Sequence, residues 1–219
     1  FGGKTLLERH AAALSKFGVE TLFVVTGHVR EKVAAQFPAI EGRHKIRLKE
    51  IHNPDYTEGS VLSVHASLPV LREVKDEVLI MDGDVLYDSR MIDRLIRSPQ
   101  RTVLLIDRGY STADDDPVIV PVRNGQPFEF VKKWKGEADF TGESIGFFKI
   151  NLAELSVLIE ETEERALRSR SDSYDEVLRA MVKRGLFRIE DVTDLPWTEI
   201  DFPEDVAHAR EKVFPELQD

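Results

Sequence analysis

The chain contains no cysteine. That excludes a disulfide framework, a Cys-based zinc site and a thiol nucleophile, and it suits a cytoplasmic setting. Long apolar runs are missing too. None approaches the ~20 residues needed to span a bilayer, and no signal peptide is visible at the start. Positive charge is scarce: 30 Lys and Arg stand against 40 Asp and Glu, a formal net charge of −10. A nucleic-acid-binding surface needs the opposite sign, so no nucleic-acid partner is expected. A small anionic substrate remains compatible, because a local group of Lys, Arg or metal ions overrides the global field. The six histidines, His10, His28, His44, His52, His65 and His208, show no metal-ligand spacing. Neither a nucleophile elbow nor a Walker phosphate loop occurs. What is present is an ordinary globular balance of 219 residues, 42% hydrophobic and 32% charged, enough for a real core.

Hydrophobic periodicity divides the chain into alternating elements. Lys4 to Phe17 predicts a helix with Leu6, Leu7, His10, Leu14 and Phe17 on one face, stopped at Gly18. Thr21 to Thr26 (TLFVVT) reads as a buried parallel strand. Val29 to Phe37 follows as a short helix stopped by Pro38, and Ile46 to Ile51 as a strand. After a polar loop, Ser60 is placed to cap a helix running towards Leu71. Glu77 to Met81 and Thr102 to Ile106 are further buried strands, with a helix from Asp88 to Ile96 between them. This helix–strand alternation predicts a doubly wound α/β domain with a mostly parallel sheet and helices on both faces.

The second half is richer in β-structure. Val118 to Val122 and Phe128 to Val131 flank Asn124-Gly125, a hairpin turn signal. Ser144 to Ile150 and Leu186 to Val192 read as strands. Leu152 to Ala166, Tyr174 to Lys183 and Pro203 to Val213 read as helices. Arg165 to Ser173 is expected to be an exposed, mobile loop, and Asp114 to Asp116 a second acidic loop. No repeat or low-complexity linker divides the chain, so 1–219 is taken as one domain. It opens directly on a helix where an α/β domain usually opens on a strand, which predicts that an N-terminal strand is missing from the given sequence.

Four segments could carry chemistry. In VLIMDGDV, Asp82 and Asp84 flank Gly83 at the carboxyl end of an apolar strand, the edge where open α/β sheets bind ligands. A carboxylate there is a hard ligand suited to Mg²⁺, although a plain polar turn gives the same letters. In WTEIDFPEDV, Asp201 precedes a Pro-started helix and could be a second ligand or simply that helix's cap. Gly59 and Ser60 open a helix whose N–H groups suit a nucleotide, or no ligand at all. In FVKKWKGEADFTGESIGFFKI, Lys132, Lys133 and Lys135 supply positive charge and Glu143 precedes a Gly-containing strand. The same lysines also suit a solvated edge strand. Trp134 and Trp197 could be core residues or could cover a cationic head group.

Together these segments resemble the nucleotidyltransferase family that activates sugar phosphates and choline phosphate. The resemblance spans nearly the whole chain, through GGKTLLERHAAALSKFGVETLFVVTGH, NPDYTEGSVLSVHAS, MDGDV, GESIGFFKI and WTEIDFPEDVAHAR. It is closest to cytidylyltransferases acting on phosphocholine, inositol phosphate or phosphonates. It implies a Rossmann-like single domain whose first strand and Gly-rich phosphate loop are absent here. It implies CMP transfer from CTP to a small phosphorylated alcohol or phosphonate, with release of pyrophosphate. Asp84 and Asp201 would hold Mg²⁺. Gly59, Ser60 and Asp82 would lie on the nucleotide side. Lys133, with Lys132 and Lys135 as alternatives, would meet the acceptor phosphate, and Glu143, Gly146, Trp134 and Trp197 would line the acceptor pocket. The other readings are the same transfer to a hexose 1-phosphate, and a non-catalytic nucleotide binder.

Overall fold

A computed structural model describes residues 1–110 and 117–218; the acidic run Asp114 to Asp116 lies outside them. In chain order the elements are α1 (Leu6–Lys16), β1 (Thr21–Thr26), α2 (Arg30–Ala34), α3 (Phe37–Arg43), β2 (Arg47–His52) and α4 (Val61–Leu71). Then come β3 (Val78–Met81), β4 (Val85–Tyr87), α5 (Arg90–Arg97), β5 (Val103–Asp107), β6 (Ile119–Arg123), β7 (Gln126–Pro127) and β8 (Phe140–Ile150). The last are α6 (Leu155–Arg168), α7 (Asp175–Lys183), β9 (Arg188–Asp191), β10 (Trp197–Glu199) and α8 (Pro203–His208). A π-helical turn at Ala209–Val213 extends α8.

The long strand β8 organises the sheet. One edge pairs antiparallel with β5. The other edge is shared end to end: Phe140 to Glu143 pair with β6, and Phe147 to Ile150 pair with β3. The changeover falls at Ser144 to Gly146, beside the carboxyl end of β3. Since β3, β5 and β6 all oppose β8, and β9 lies parallel to β5, most strands point one way and the sheet is mixed.

Both faces are covered, as expected for a doubly wound domain. Leu104 and Ile106 of β5, with Phe148 and Ile150 of β8, meet α4, α6 and α7 on one side. Val103 and Leu105, with Ile145 and Phe147, meet α1, α3 and α5 on the other. Successive residues of a strand point to opposite faces, so an unbroken apolar run such as VLLI serves both cores.

Three expectations need correction. Pro38 does not stop a helix; it sits in the first turn of α3, where its missing N–H has no intrahelical partner to lose. The TLFVVT strand is not fully buried. β1 pairs only with β2 among the described residues, and Phe23 and Val25 are exposed on its open face while Leu22 and Val24 pack inward. The stretch from Arg165 to Ser173 is tethered rather than loose. Arg165 lies 3.3 Å from Asp172, and Arg170 pairs with Glu58 at 2.9 Å and Asp55 at 3.0 Å.

The hairpin forms where Asn124-Gly125 signalled it, with φ of +51° and +72°, the left-handed pair a type I′ turn requires. Its second arm is only the two residues of β7, and Val131 rejoins β6 through a lone bridge to Ile119.

Candidate functional site

Two three-residue strands, β4 and β10, build the acidic end of the site. They pair antiparallel, with Val85 opposite Glu199, and the Ile200 N–H donates to the Asp84 carbonyl at 3.0 Å. The DGD turn and the EID segment thus lie side by side despite their distance in sequence. Burial pushes the Asp84 carboxyl above its ordinary pKa, and the neighbouring Asp201 charge adds to the rise. Glu199 is pushed up to about 7, first by burial and then by the charges of Asp84, Asp201 and Asp175. Asp84 therefore feels the charge of Asp201, and Glu199 the charges of both.

Asp201 is not the cap of α8. Asp205 reaches back from the first turn, its Oδ2 accepting the N–H of Asp201 at 3.0 Å and of Phe202 at 2.7 Å. The Asp201 carboxylate is left outside that arrangement. Gly83 is open on its outer side, since a side chain there would meet nothing within 4 Å. Beneath the turn lies His10, buried between Tyr87 and Phe147 and hydrogen-bonded to the Gly83 backbone. Burial lowers its pKa to about 4, and its Nε2 has no hydrogen-bond partner.

Asp82 points the other way. Its N–H donates to the Gly146 carbonyl at 3.0 Å, and its carboxylate lies where a Cβ on Gly146 would collide with it. Gly146 also has φ of +74°, which only glycine adopts at little cost. Thus Gly146 makes room for Asp82. The Tyr174 hydroxyl donates to Asp82, 2.7 and 2.8 Å from its two oxygens. Burial pushes Asp82 up to about 7, against the pull of that hydrogen bond.

At the start of α4 the expected free N–H groups are taken. The Gly59 N–H donates to the Arg170 carbonyl at 2.8 Å and the Val61 N–H to the Asp172 carbonyl at 3.2 Å. Ser60 makes no side-chain cap; its Oγ accepts the Tyr174 N–H at 3.0 Å and lies 3.2 Å from Ser173 Oγ. The segment from Ser169 to Ser173 is thus a strap across this helix end.

Lys132, Lys133 and Lys135, expected to meet the acceptor phosphate, are all exposed. Of the three, Lys132 is the one whose charge reaches Glu199. Glu143 is buried on β8, opposite Asp107 and Ile119. The Trp197 indole donates to Asp107 Oδ2 at 2.9 Å and packs on the α1-side core. Trp134 stands edge-on to Phe128 at 5.5 Å, its Nε1 buried without a partner. The two indoles have separate neighbours and do not form a joint cage.

Among the described residues no three acidic or histidine side chains converge into a ready-made metal cage. Sequence reasoning assigned no role to His10, Glu199, Tyr174 or Asp175. Glu199 lay within a segment already singled out; the others gave no local signal, since only the fold brings them to the turn.

Comparison with known proteins gives consistent matches. Residues 1–177 match the family described as MobA-like NTP transferase domain. The chain is 28% identical over 214 residues to a "Bifunctional IPC transferase and DIPP synthase" of Rubrobacter xylanophilus, covering 96% of this chain and 46% of that protein. It is 24% identical over 231 aligned positions to a "CMP-5'-(3-aminopropyl)phosphonate synthase" of Streptomyces rubellomurinus, covering 94% of this chain and 33% of that protein. It therefore spans less than half the length of these curated relatives. Among solved structures, the inositol-1-phosphate CTP transferase from T. maritima superposes with a TM-score of 0.74 at 19% identity, over 100% of this chain and 87% of that one. The fold is shared with it.

Proposed function

The chain belongs to the MobA-like NTP transferase domain family, and from that premise we propose that it transfers a nucleotidyl group, CMP from CTP, to a small phosphorylated alcohol or phosphonate. The name of one relative carries CMP and a phosphonate, and that of the solved neighbour carries CTP and inositol 1-phosphate, which favours this reading over a hexose 1-phosphate acceptor. The observation that carries the proposal is the β4–β10 ladder, which sets Glu199 opposite Val85, next to Asp84, and leads directly into Asp201.

An oxygen of the acceptor phosphate or phosphonate attacks the α-phosphorus; the new P–O bond forms as the bond to the β-phosphate bridging oxygen breaks, and pyrophosphate leaves. The attacking oxygen is already anionic, so no general base is needed. Asp84 and Asp201 would hold a divalent cation, Mg²⁺, with Glu199 beside them. The mutual repulsion of these carboxylates fits a cation between them. When bound, it supplies charge neutralisation on the phosphates. Lys132 would attract the acceptor phosphate, with Lys133 and Lys135 further along the same exposed segment, and Glu143 would lie at the acceptor side. Gly59 and Ser60 seat the strap at the nucleotide end rather than donating directly, and Asp82 holds the turn. What remains for the protein is orientation, which makes the transfer effectively unimolecular.

The test is pyrophosphate release from four nucleoside triphosphates, each paired with phosphocholine, inositol phosphate, aminoethylphosphonate and hexose 1-phosphates, with Mg²⁺. Release is expected with CTP and a non-sugar or inositol acceptor. Release only with a hexose 1-phosphate would reverse the assignment. Nucleotide binding without turnover on any pair would mark a non-catalytic binder.

A further inference from the structure

We propose that Tyr174 is a positioning residue that joins the two ends of the site, holding the acidic turn after β3 to the start of α4 through its own hydroxyl and backbone N–H. The proposal rests on the reading above, in which the cation sits at Asp84 and the nucleotide approaches α4.

The residue lies between the strap and α7. Its hydroxyl donates to Asp82, at 2.7 and 2.8 Å from the two carboxylate oxygens. Its N–H donates to Ser60 Oγ at 3.0 Å, immediately before α4. The ring stands edge-on to Phe148 of β8, with centroids 6.4 Å apart and planes at 85°. One residue thus touches three separate parts of the fold, the β3 turn and the central strand through its side chain and the start of α4 through its backbone N–H.

Packing explains the ring and leaves the hydroxyl unexplained. A phenylalanine would fill the same space against Phe148. The hydroxyl's hydrogen-bond partner is Asp82, and Asp82 has a second anchor in the N–H bond to the Gly146 carbonyl. Held on both sides, Asp82 turns inward, and the chain direction it fixes presents Asp84, two residues on, towards Glu199 and Asp201. Without the hydroxyl, the buried Asp82 carboxylate loses its donor, the turn it anchors loosens, and Asp84 is no longer held towards Glu199 and Asp201. Groups that orient a ligand without touching the metal are known to matter at about 10–100-fold in affinity; here the effect passes through one more residue, so its lower end applies.

The test is Mn²⁺ binding to the full chain, followed by electron paramagnetic resonance with an unreactive α,β-methylene analogue of CTP present, beside thermal unfolding of the same samples. Tyr174→Phe is expected to raise the Mn²⁺ dissociation constant about tenfold with little change in unfolding temperature. Phe148→Leu loosens the same ring contact and is expected to lower the unfolding temperature while leaving Mn²⁺ affinity unchanged. Asp82→Ala should weaken binding as Tyr174→Phe does, and the double variant should be no worse than either single one. Unchanged affinity in Tyr174→Phe would overturn the proposal. So would an equal loss in Phe148→Leu, or additive losses in the double variant, which would reduce the tyrosine to packing. Should Tyr174→Phe fail to fold, the Asp82→Ala and Phe148→Leu pair decides the matter in the same way. If the unaltered protein binds no Mn²⁺ with the analogue, the functional reading fails instead, and the two failures are told apart.

Discussion

The two ends of the candidate site are built by opposite means. At the acidic end, backbone pairing does the work: β4 and β10 are three residues each, yet their ladder sets Glu199 opposite Val85, beside Asp84. At the α4 end, contact is made by a strap. Its carbonyls take the N–H groups of Gly59 and Val61, while Arg170 fastens it to Glu58 and Asp55 through exposed ion pairs. Backbone ladders fix position within fractions of an ångström, whereas exposed ion pairs between long side chains contribute little and yield easily. The charge-bearing groups thus stand on the rigid construction and the start of α4 on the adjustable one.

The sharpest way to break that contrast is to remove one ladder bond. Ile200→Pro deletes the N–H that meets the Asp84 carbonyl, and proline cannot donate in a ladder. Turnover should fall roughly a thousandfold, about 4 kcal/mol in transition-state energy, measured as kcat/KM for pyrophosphate release. A loss of only a few fold would mean that the ladder does not position the aspartates.

His10 tests the support beneath the acidic turn. Its folded pKa of about 4 lies below its unfolded value of about 6.5. Between those values the unfolded chain binds more protons at this group, so the histidine's contribution to stability should drop as pH falls from about 6.5 to about 4, by an order of 3 kcal/mol. The raised carboxyls of Asp82 and Glu199 slope the other way. Urea unfolding of His10→Gln beside the unaltered protein isolates the histidine, and parallel pH profiles would refute its burial as a neutral ring.

A smaller effect should come from the cation itself. Free Mn²⁺ at about ten times its dissociation constant should stabilise the fold by about 1.4 kcal/mol, roughly 3–5 °C in unfolding temperature. The increment should vanish in Asp84→Asn. Its persistence there would move the cation elsewhere.

The smallest effect is expected at the strap. Arg170→Ala removes two exposed ion pairs and should cost less than about 1 kcal/mol in unfolding free energy. A large loss would show the strap to be as rigid as the ladder and would erase the contrast.

Long elements were legible in the sequence, and short ones were not. The VLLI run of β5, the amphipathic α1 and the Asn124-Gly125 turn each carried enough local pattern to be placed within a residue or two. β4 and β10 have three residues apiece, too few for a period to register, and their pairing joins segments that only the fold brings together. Asp84 and Asp201 were brought together only by the family resemblance, not by any local pattern, and the place of Glu199 beside them was not expected at all. Pro38 misled because a proline that ends one helix and a proline that begins the next look alike in sequence. The strap misled because RALRSRSDS has the polar composition of a free loop, while its anchors, Glu58 and Asp55, lie in another segment. Gly146 was expected to line the acceptor pocket; what it accommodates in the structure is the Asp82 carboxylate.

One arrangement has a consequence for how this site can change over generations. Because Asp205 closes the start of α8 from within, taking the Asp201 backbone N–H, the side chain at position 201 takes no part in starting that helix. On the proposed assignment, that side chain could be exchanged, and a cation ligand lost, while the helix still forms. A lineage could therefore silence this site at one codon and keep the scaffold intact.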